Sequence, residues 1–543
     1  MLKQTRLGKF VAPFAVAALI GLAGVLAGHA AKAPTLVVAI QGTPASIDGE
    51  QALTSEGEMM MANIHGGDLF RYKVTSIPNS PAMTVDLKST DDRGVTGLIA
   101  ESWKVSPDAT SVTVKLKQGM KSPYGNEVTA QDYKWAWERR WQLKGVGKFI
   151  GDVVGIASPD SIKVLDKYTV RVNLKGPSPI FFKILAQNYY GGPLDSTEVK
   201  KHATADEPWG KEWTRIHSAG FGPYQVERVV PGVETVLVPN PNWTLTPVYF
   251  QRIILKAVPE SSARLSLLKA GQVDIAWGLN ERELRQVEGD PNLQVVRQPA
   301  NKQLYLGLAV DKPPFNNKKL RQAMAWATPY GDIIEKVYFG HARRMTSTVP
   351  DIYAGYKNTY HYDYDLKKAK QLMAEAGFPN GFDVKLTYNA AQKEAEETAI
   401  LVKSSWEQVG VRASLQALPT AVYAEQKYGK KALQAFAENE QWPWSGDPGY
   451  SSWVYLGNGP DNSINAVNYN NPEYNAALEK AMRMMDSPAR AALTTKLQEI
   501  AADEVPWVQV AWFDWTVAAK KDLTGFLWTP DNQIRFYYLR RVE

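Results

Sequence analysis

Two alternations of helix and strand in the middle of the chain narrow the fold class more than any other stretch. Leu366 to Ala376 carries apolar residues at three- and four-residue spacing, the mark of an amphipathic helix, and Gly377 follows where a helix C-cap glycine belongs. Val384, Leu386 and Tyr388 then alternate with polar neighbours, as a half-buried strand does. Glu394 to Val409 repeats the helical spacing and stops at Gly410, after which Val411, Ala413 and Leu415 alternate in a second strand. Helices and strands in that rhythm pack as α/β layers, with both faces of the sheet covered. Arg321–Ala327 reads as a further amphipathic helix, and Leu36–Ile40 as a short buried strand ended by the Gly42–Pro44 turn.

At 543 residues the chain exceeds one compact core, and its length predicts about three domains. Residues 1–30 read as a secretory signal: Lys3, Arg6 and Lys9 give a positive start, and Phe10–Leu26 is apolar. Gly28-His29-Ala30 puts small residues where a signal peptidase needs them, so cleavage is expected after Ala30, with Ala33 as the second site. No second run of ~20 apolar residues follows. The chain has no Cys, which excludes disulfides, thiolate metal sites, Cys nucleophiles and a lipid-modified Cys. These features predict an exported, soluble protein without a lipid anchor, in a Gram-negative periplasm. The formal charge of +6 includes the three basic residues of the signal, and the remaining +3 is too weak and too evenly spread to argue for nucleic acid.

Residues 54–96 are polar and rich in Gly, Pro, Ser and Asp, and are expected to be mostly loop, with a short helix near Glu58–Ile64 where Met59, Met60 and Met61 fill core. Val112, Val114 and Leu116 alternate as a strand, and Thr129 with Asp132 reads as a helix N-cap with acid in its first turn. No internal repeat or low-complexity tract is visible.

From this point the chain resembles a known family. Ala100-Glu101-Ser102-Trp103, the alternating strand, Lys117-Gln118-Gly119, and Gly125 followed by Thr129-Ala130-Gln131-Asp132 are similar to the signature region of family 5 extracellular solute-binding proteins. The family's usual His-Asp-Gly is Pro123-Tyr124-Gly125 here. Further segments keep the family's order: Asp166-Lys167-Tyr168-Thr169, Gly220-Phe221-Gly222-Pro223-Tyr224, Asn240-Pro241-Asn242-Trp243, Lys269 to Ile275, Leu320-Arg321-Gln322-Ala323, and Tyr364 to Phe378. The resemblance spans about Leu36 to Tyr538 and implies a periplasmic binding protein type II-like fold, with two lobes joined by a hinge and an extra subdomain on lobe one. The expected layout is a signal at 1–30, lobe one at 31–48, 191–300 and 506–543, the extra subdomain at 49–190, and lobe two at 301–505. The implied function is the substrate-binding component of an ABC importer. It would act as a monomer that hands a peptide or oligopeptide to the membrane permease, with an oligosaccharide or other neutral amphipathic small molecule as the alternative ligand.

Gln441 to Gly459 is the stretch where a ligand is expected. It gathers Trp442, Trp444, Tyr450, Trp453 and Tyr455 around Gly446, Asp447, Pro448 and Gly449, which read as a turn or irregular crossing. Rings held on such a backbone make a wall for a flat or apolar ligand, though a core strand running into a surface turn fits the pattern equally. The family implies an Asp for the ligand's α-amine three positions before the acid of an acid-Pro pair. Counting back from Asp447-Pro448, that position holds Trp444, and a shifted alignment would bring Asp447 into the role. The expected ligand-binding residues are Gln441, Trp442, Trp444, Asp447 and Trp453, faced by Gln41, Thr43 and Ala45 from lobe one.

Enzyme signatures are absent. The six His, at 29, 65, 202, 217, 341 and 361, show no metal-pair spacing, and there is no nucleophile elbow or phosphate-binding glycine loop. No catalytic residue, metal or cofactor is expected. An exported glycoside hydrolase with an aromatic groove is the reading from a different class, since paired carboxylates are a spatial feature that sequence does not display.

Overall fold

The apolar run at Leu36 becomes an interior strand of a large mixed sheet. The structure is a computed structural model that describes residues 34–542, except 52–53, 66–67, 90–91, 187–190, 442–444, 458–461 and 463. The signal read in residues 1–30 therefore lies outside the described residues. No helix among the described residues is long and apolar enough to cross a membrane.

The sheet's strands are β1 (Thr35–Ile40), β2 (Tyr224–Val230), β3 (Glu234–Pro239), β4 (Arg252–Ala257), β5 (Ile275–Ala276), β6 (Leu293–Leu308), β7 (Ala342–Arg344), β8 (Phe382–Asn389), β9 (Val411–Leu418), β10 (Ala435–Gln441) and β11 (Trp507–Lys520). Their order is β2-β3-β4-β1-β5-β11-β6-β10-β8-β9, with β7 paired to β11. β1 runs parallel to β4 and β5, and β8 runs parallel to β9 and β10. The helix Lys393–Glu407 is the crossover from β8 to β9, as its periodicity predicts, and the preceding helix is Leu366–Glu375. Gly377 and Gly410 close the two helices at φ +88° and +92°, a region that side-chain-bearing residues rarely occupy.

Two long antiparallel strands, β6 and β11, run through the centre of this sheet. Their register shifts between Pro299 and Lys302 and again between Leu304 and Tyr305. β11 pairs with β5 at Ala518 and Ala519, before the first shift, and with β7 at Ala511–Phe513, between the two, while Lys302–Leu308 of β6 pairs with β10. Leu304, Leu306 and Leu308 join Val508 and Val510 in one core, whereas Tyr305, Trp507 and Trp512 face another.

A four-stranded antiparallel sheet, ordered Ala100–Val105, Ser111–Leu116, Thr169–Asn173 and Ile162–Asp166, packs against the helix Ala130–Leu143. That helix starts with the expected cap: Thr129 Oγ1 accepts from the Asp132 N–H, and Asp132 Oδ2 accepts from the Thr129 N–H at 2.9 Å. From the same helix, fully buried Arg139 pairs with Asp48, whose carboxylate Thr214 Oγ1 also reaches at 2.6 Å. Burial alone raises the Asp48 pKa, but the Arg139 charge and these hydrogen bonds outweigh it and hold the carboxyl at about 2.

The expectation of mostly loop across 54–96 is corrected. After the helix Ser55–Ile64, which buries Met59, Met60 and Met61 as expected, come short strands. Phe70–Tyr72 pairs with Val95–Gly97, and Val74–Ser76 with Ala82–Val85, to which Phe526–Leu527 adds a parallel neighbour. Strands of three or four residues are too short to show alternation, and one partner comes from the far end of the chain.

Candidate ligand-binding site

β10 carries the chain to the aromatic stretch and ends at Gln441, paired with Lys302 of β6. Trp442 and Trp444 lie outside the described residues. The expectation of a turn or irregular crossing at Gly446–Gly449 is corrected from Pro448 onward: Ser445–Gly446 is a bend, but Pro448–Leu456 is a helix, with Asp447 as its N-cap and Pro448 at its first position. The missing N–H of Pro costs nothing there, because the first helical N–H groups have no intrahelical acceptor, and its fixed φ suits helix entry. Asp447 Oδ1 accepts from the Tyr450 N–H at 2.9 Å, as a capping Asp does.

Asp447 is only 3% exposed, and its carboxylate is already engaged. Arg490 Nη2 donates to Oδ1 at 2.8 Å, while Nη1 donates to Asp486 at 2.8 Å and Nε to the Ala481 carbonyl at 2.9 Å. Burial alone raises the Asp447 pKa, but the Arg490 guanidinium more than reverses it and holds the carboxyl below the usual range. One residue earlier, the Gly446 carbonyl accepts from buried Lys183 Nζ at 2.9 Å, tying the glycine turn to the helix Phe181–Leu185. Lys88 Nζ likewise donates to the Asp351 carbonyl at 2.9 Å and to the Tyr353 carbonyl at 3.2 Å.

Behind the stretch, one face of β10 carries two buried acids. Lys427, fully buried on a π-helical turn at Glu425–Gly429, donates to Glu438 at 2.9 Å, Glu440 at 3.4 Å and the Tyr428 hydroxyl at 2.7 Å. Tyr305 of β6 donates to Glu440 at 2.7 Å, and the Tyr428 hydroxyl donates to the same carboxylate. Burial raises the Glu438 pKa, and the Lys427 charge only partly offsets it. Turns of this kind are rare and concentrate at functional sites.

Gln303 of β6 stands in register with Glu440 on one side and Trp512 on the other. Among the described residues, both amide atoms of Gln303 and the Trp512 indole nitrogen are buried without a hydrogen-bond partner, as are the Ser445 and Tyr450 hydroxyls. Buried polar groups are normally satisfied, and these atoms are free to meet a ligand group or water. Sequence reading did not single out Gln303, Trp512, Lys427 or Arg490. Pattern and motif carry no signal for them, because each meets the aromatic stretch only through the fold.

On the opposite expected wall, Gln41 and Ala45 are exposed, and Thr43 Oγ1 accepts from the Gly232 N–H at 2.9 Å. No hydrogen bond or ring contact among the described residues joins this turn to 445–453. Trp453 is half-buried, stacked on Tyr450 at 6.0 Å and tilted against Phe149 at 5.9 Å. No cluster of three or more His, Cys, Asp or Glu among the described residues is placed to hold a metal ion.

The chain is 26% identical over 446 residues to the glutathione-binding protein GsiB of Shigella flexneri, covering 81% of this chain and 85% of that protein. It is 26% identical over 464 residues to heme-binding protein A of Haemophilus influenzae, covering 81% and 83%. Its fold matches that of the periplasmic binding protein DppA from Helicobacter pylori, solved with the peptide STSA, at a TM-score of 0.78 and 23% identity, over 94% of this chain and 98% of that one. The mixed α/β architecture is thus periplasmic binding protein type II-like. The family model for bacterial extracellular solute-binding proteins, family 5 Middle, matches residues 94–463, more than half of the chain, and the protein belongs to that family.

Proposed function

We propose that this protein is the periplasmic receptor of an ABC importer and that its ligand is a peptide, captured between two lobes and delivered to the membrane permease without chemical change. The observation that carries the peptide reading is Gln303, whose amide offers one donor and one acceptor side, both unpaired among the described residues, beside the Trp512 indole. A peptide group presents the complementary acceptor and donor. The peptide STSA bound by DppA and the glutathione named for GsiB are ligands of that chemistry. The lobe boundaries proposed are those read from the sequence, so the two crossings that form the hinge fall within β6 and at the entry to β11. Mass spectrometry of material that copurifies with the protein, followed by calorimetric titration with the peptides found, tests this reading. Recovery of sugars instead, or hydrolysis of an oligosaccharide, overturns it.

Trp444→Ala weakens peptide binding by about tenfold to a hundredfold, from lost ring stacking and buried apolar area, without lowering the melting temperature. A truncated core Trp costs roughly 3–5 kcal/mol of stability instead, so titration and melting of one variant separate the two roles. Exported protein begins at Ala31, or at Pro34 if the second site is used; N-terminal sequencing that finds Met1 in exported material means a membrane anchor.

A further inference from the structure

An open groove of about 860 Å³ lies between residues 149–178 and residues 453–483. Its floor is apolar, built by Phe149, Trp453, Leu478 and Met482. Trp453 links it to the aromatic stretch: it stands on the helix that begins at Pro448, with Tyr450 and Phe149 as its ring neighbours. Pockets of this size accommodate small ligands or several linked residues.

The rim carries charge of both signs, and its pairing is uneven. Asp152 is committed to Lys148 at 2.6 Å and lies 4.0 Å from Lys175. Arg483, at the C-cap of the helix Pro472–Met482, lines the groove, and its guanidinium makes no ion pair or hydrogen bond among the described residues. Glu479, one turn earlier on the same helix, lines it too. A guanidinium is weakly hydrated and presents a planar fork that fits a carboxylate bidentately. An apolar floor beside a free guanidinium suits a group that is apolar at one end and a carboxylate at the other.

We propose that this groove is an outlying subsite for the C-terminal residue of a peptide, with its apolar side chain on the Phe149–Met482 floor and its α-carboxylate on Arg483. The assignment rests on the peptide reading above and selects for ligands that end in a large apolar residue with a free carboxylate. Glu479 opposes the same carboxylate and limits affinity for it.

The test uses a mixed library of tri- to hexapeptides ending in Phe, each as free acid and C-terminal amide. It is presented to the full-length mature protein and to Arg483→Gln and Glu479→Gln, with the bound fraction read by mass spectrometry and affinities by calorimetry. The free acids are expected to bind about tenfold tighter than the amides, the worth of one charge-assisted hydrogen-bonded contact. That preference falls close to one in Arg483→Gln and rises in Glu479→Gln, with melting temperatures unchanged because both side chains are exposed. Peptides that bind with equal affinity as acid and amide, or a preference that persists in Arg483→Gln, overturn the groove assignment alone. A preference for amides that Glu479→Gln removes shows instead a peptide lying with its ammonium in the groove, and also overturns it. Failure of every library member to bind overturns the peptide reading and this one with it.

Discussion

Lys427→Met is expected to lower stability by about 3–5 kcal/mol at pH 7, the cost of removing one partner from a buried ion cluster. The ammonium is fully buried and has two carboxylates within 3.4 Å, so its loss leaves Glu438 and Glu440 without their cation. The effect depends on pH with a definite sign. Burial already raises the Glu438 pKa in the folded protein, so the ionised carboxylate there is a cost that is present at neutral pH and absent below the unfolded value. Removing Lys427 raises that pKa further. The variant's deficit is therefore largest near pH 7 and shrinks as pH falls towards about 5, as Glu438 takes up a proton. Denaturant unfolding at the two pH values checks this; a deficit that is equal at both means the acids are not what Lys427 neutralises.

Asp447→Asn separates two roles for the same carboxylate. With Arg490 at 2.8 Å and the Tyr450 N–H at 2.9 Å, Asp447 holds the start of a helix and a buried guanidinium. Asn keeps the cap but leaves Arg490 with only Asp486 as a carboxylate partner, so a stability loss near the lower end of about 3–5 kcal/mol is expected at neutral pH. Because the folded pKa of Asp447 is lowered, the stability it contributes is present above the unfolded carboxylate value of about 4 and is lost as pH falls through the folded value. The variant and the parent therefore converge in acid. Peptide affinity, measured well below the melting temperature, should change equally for free and N-acetylated peptides. Selective loss of the free-amine peptides identifies Asp447 as the group that holds a ligand ammonium.

The parts that could be read from sequence are those whose physics is local. The helices at 366–375 and 393–407 and the strands around them follow from the period of apolar residues, and the Thr129–Asp132 cap from hydrogen bonds spanning three residues. The family was legible because short motifs in a fixed order survive where overall identity is low. Asp447-Pro448 was also local, yet a proline read as a breaker turned out to begin a helix, since the N-terminal turn is the one place where its missing donor is harmless.

The polar setting of the candidate site was decided by tertiary structure alone. Arg490 meets Asp447 across 43 positions, Tyr305 meets Glu440 across 135, and Lys183 reaches Gly446 across 263. Charge and hydrogen bonding act over a few ångströms in space, and spacing along the chain says nothing about which groups the fold brings that close. The sequence by itself determined the α/β layers, the family and the stretch of rings at 441–459. Only the packing of distant segments decided that the acid in that stretch is already paired, and that the Gln303 amide and the Trp512 indole nitrogen stand buried without a partner among the described residues.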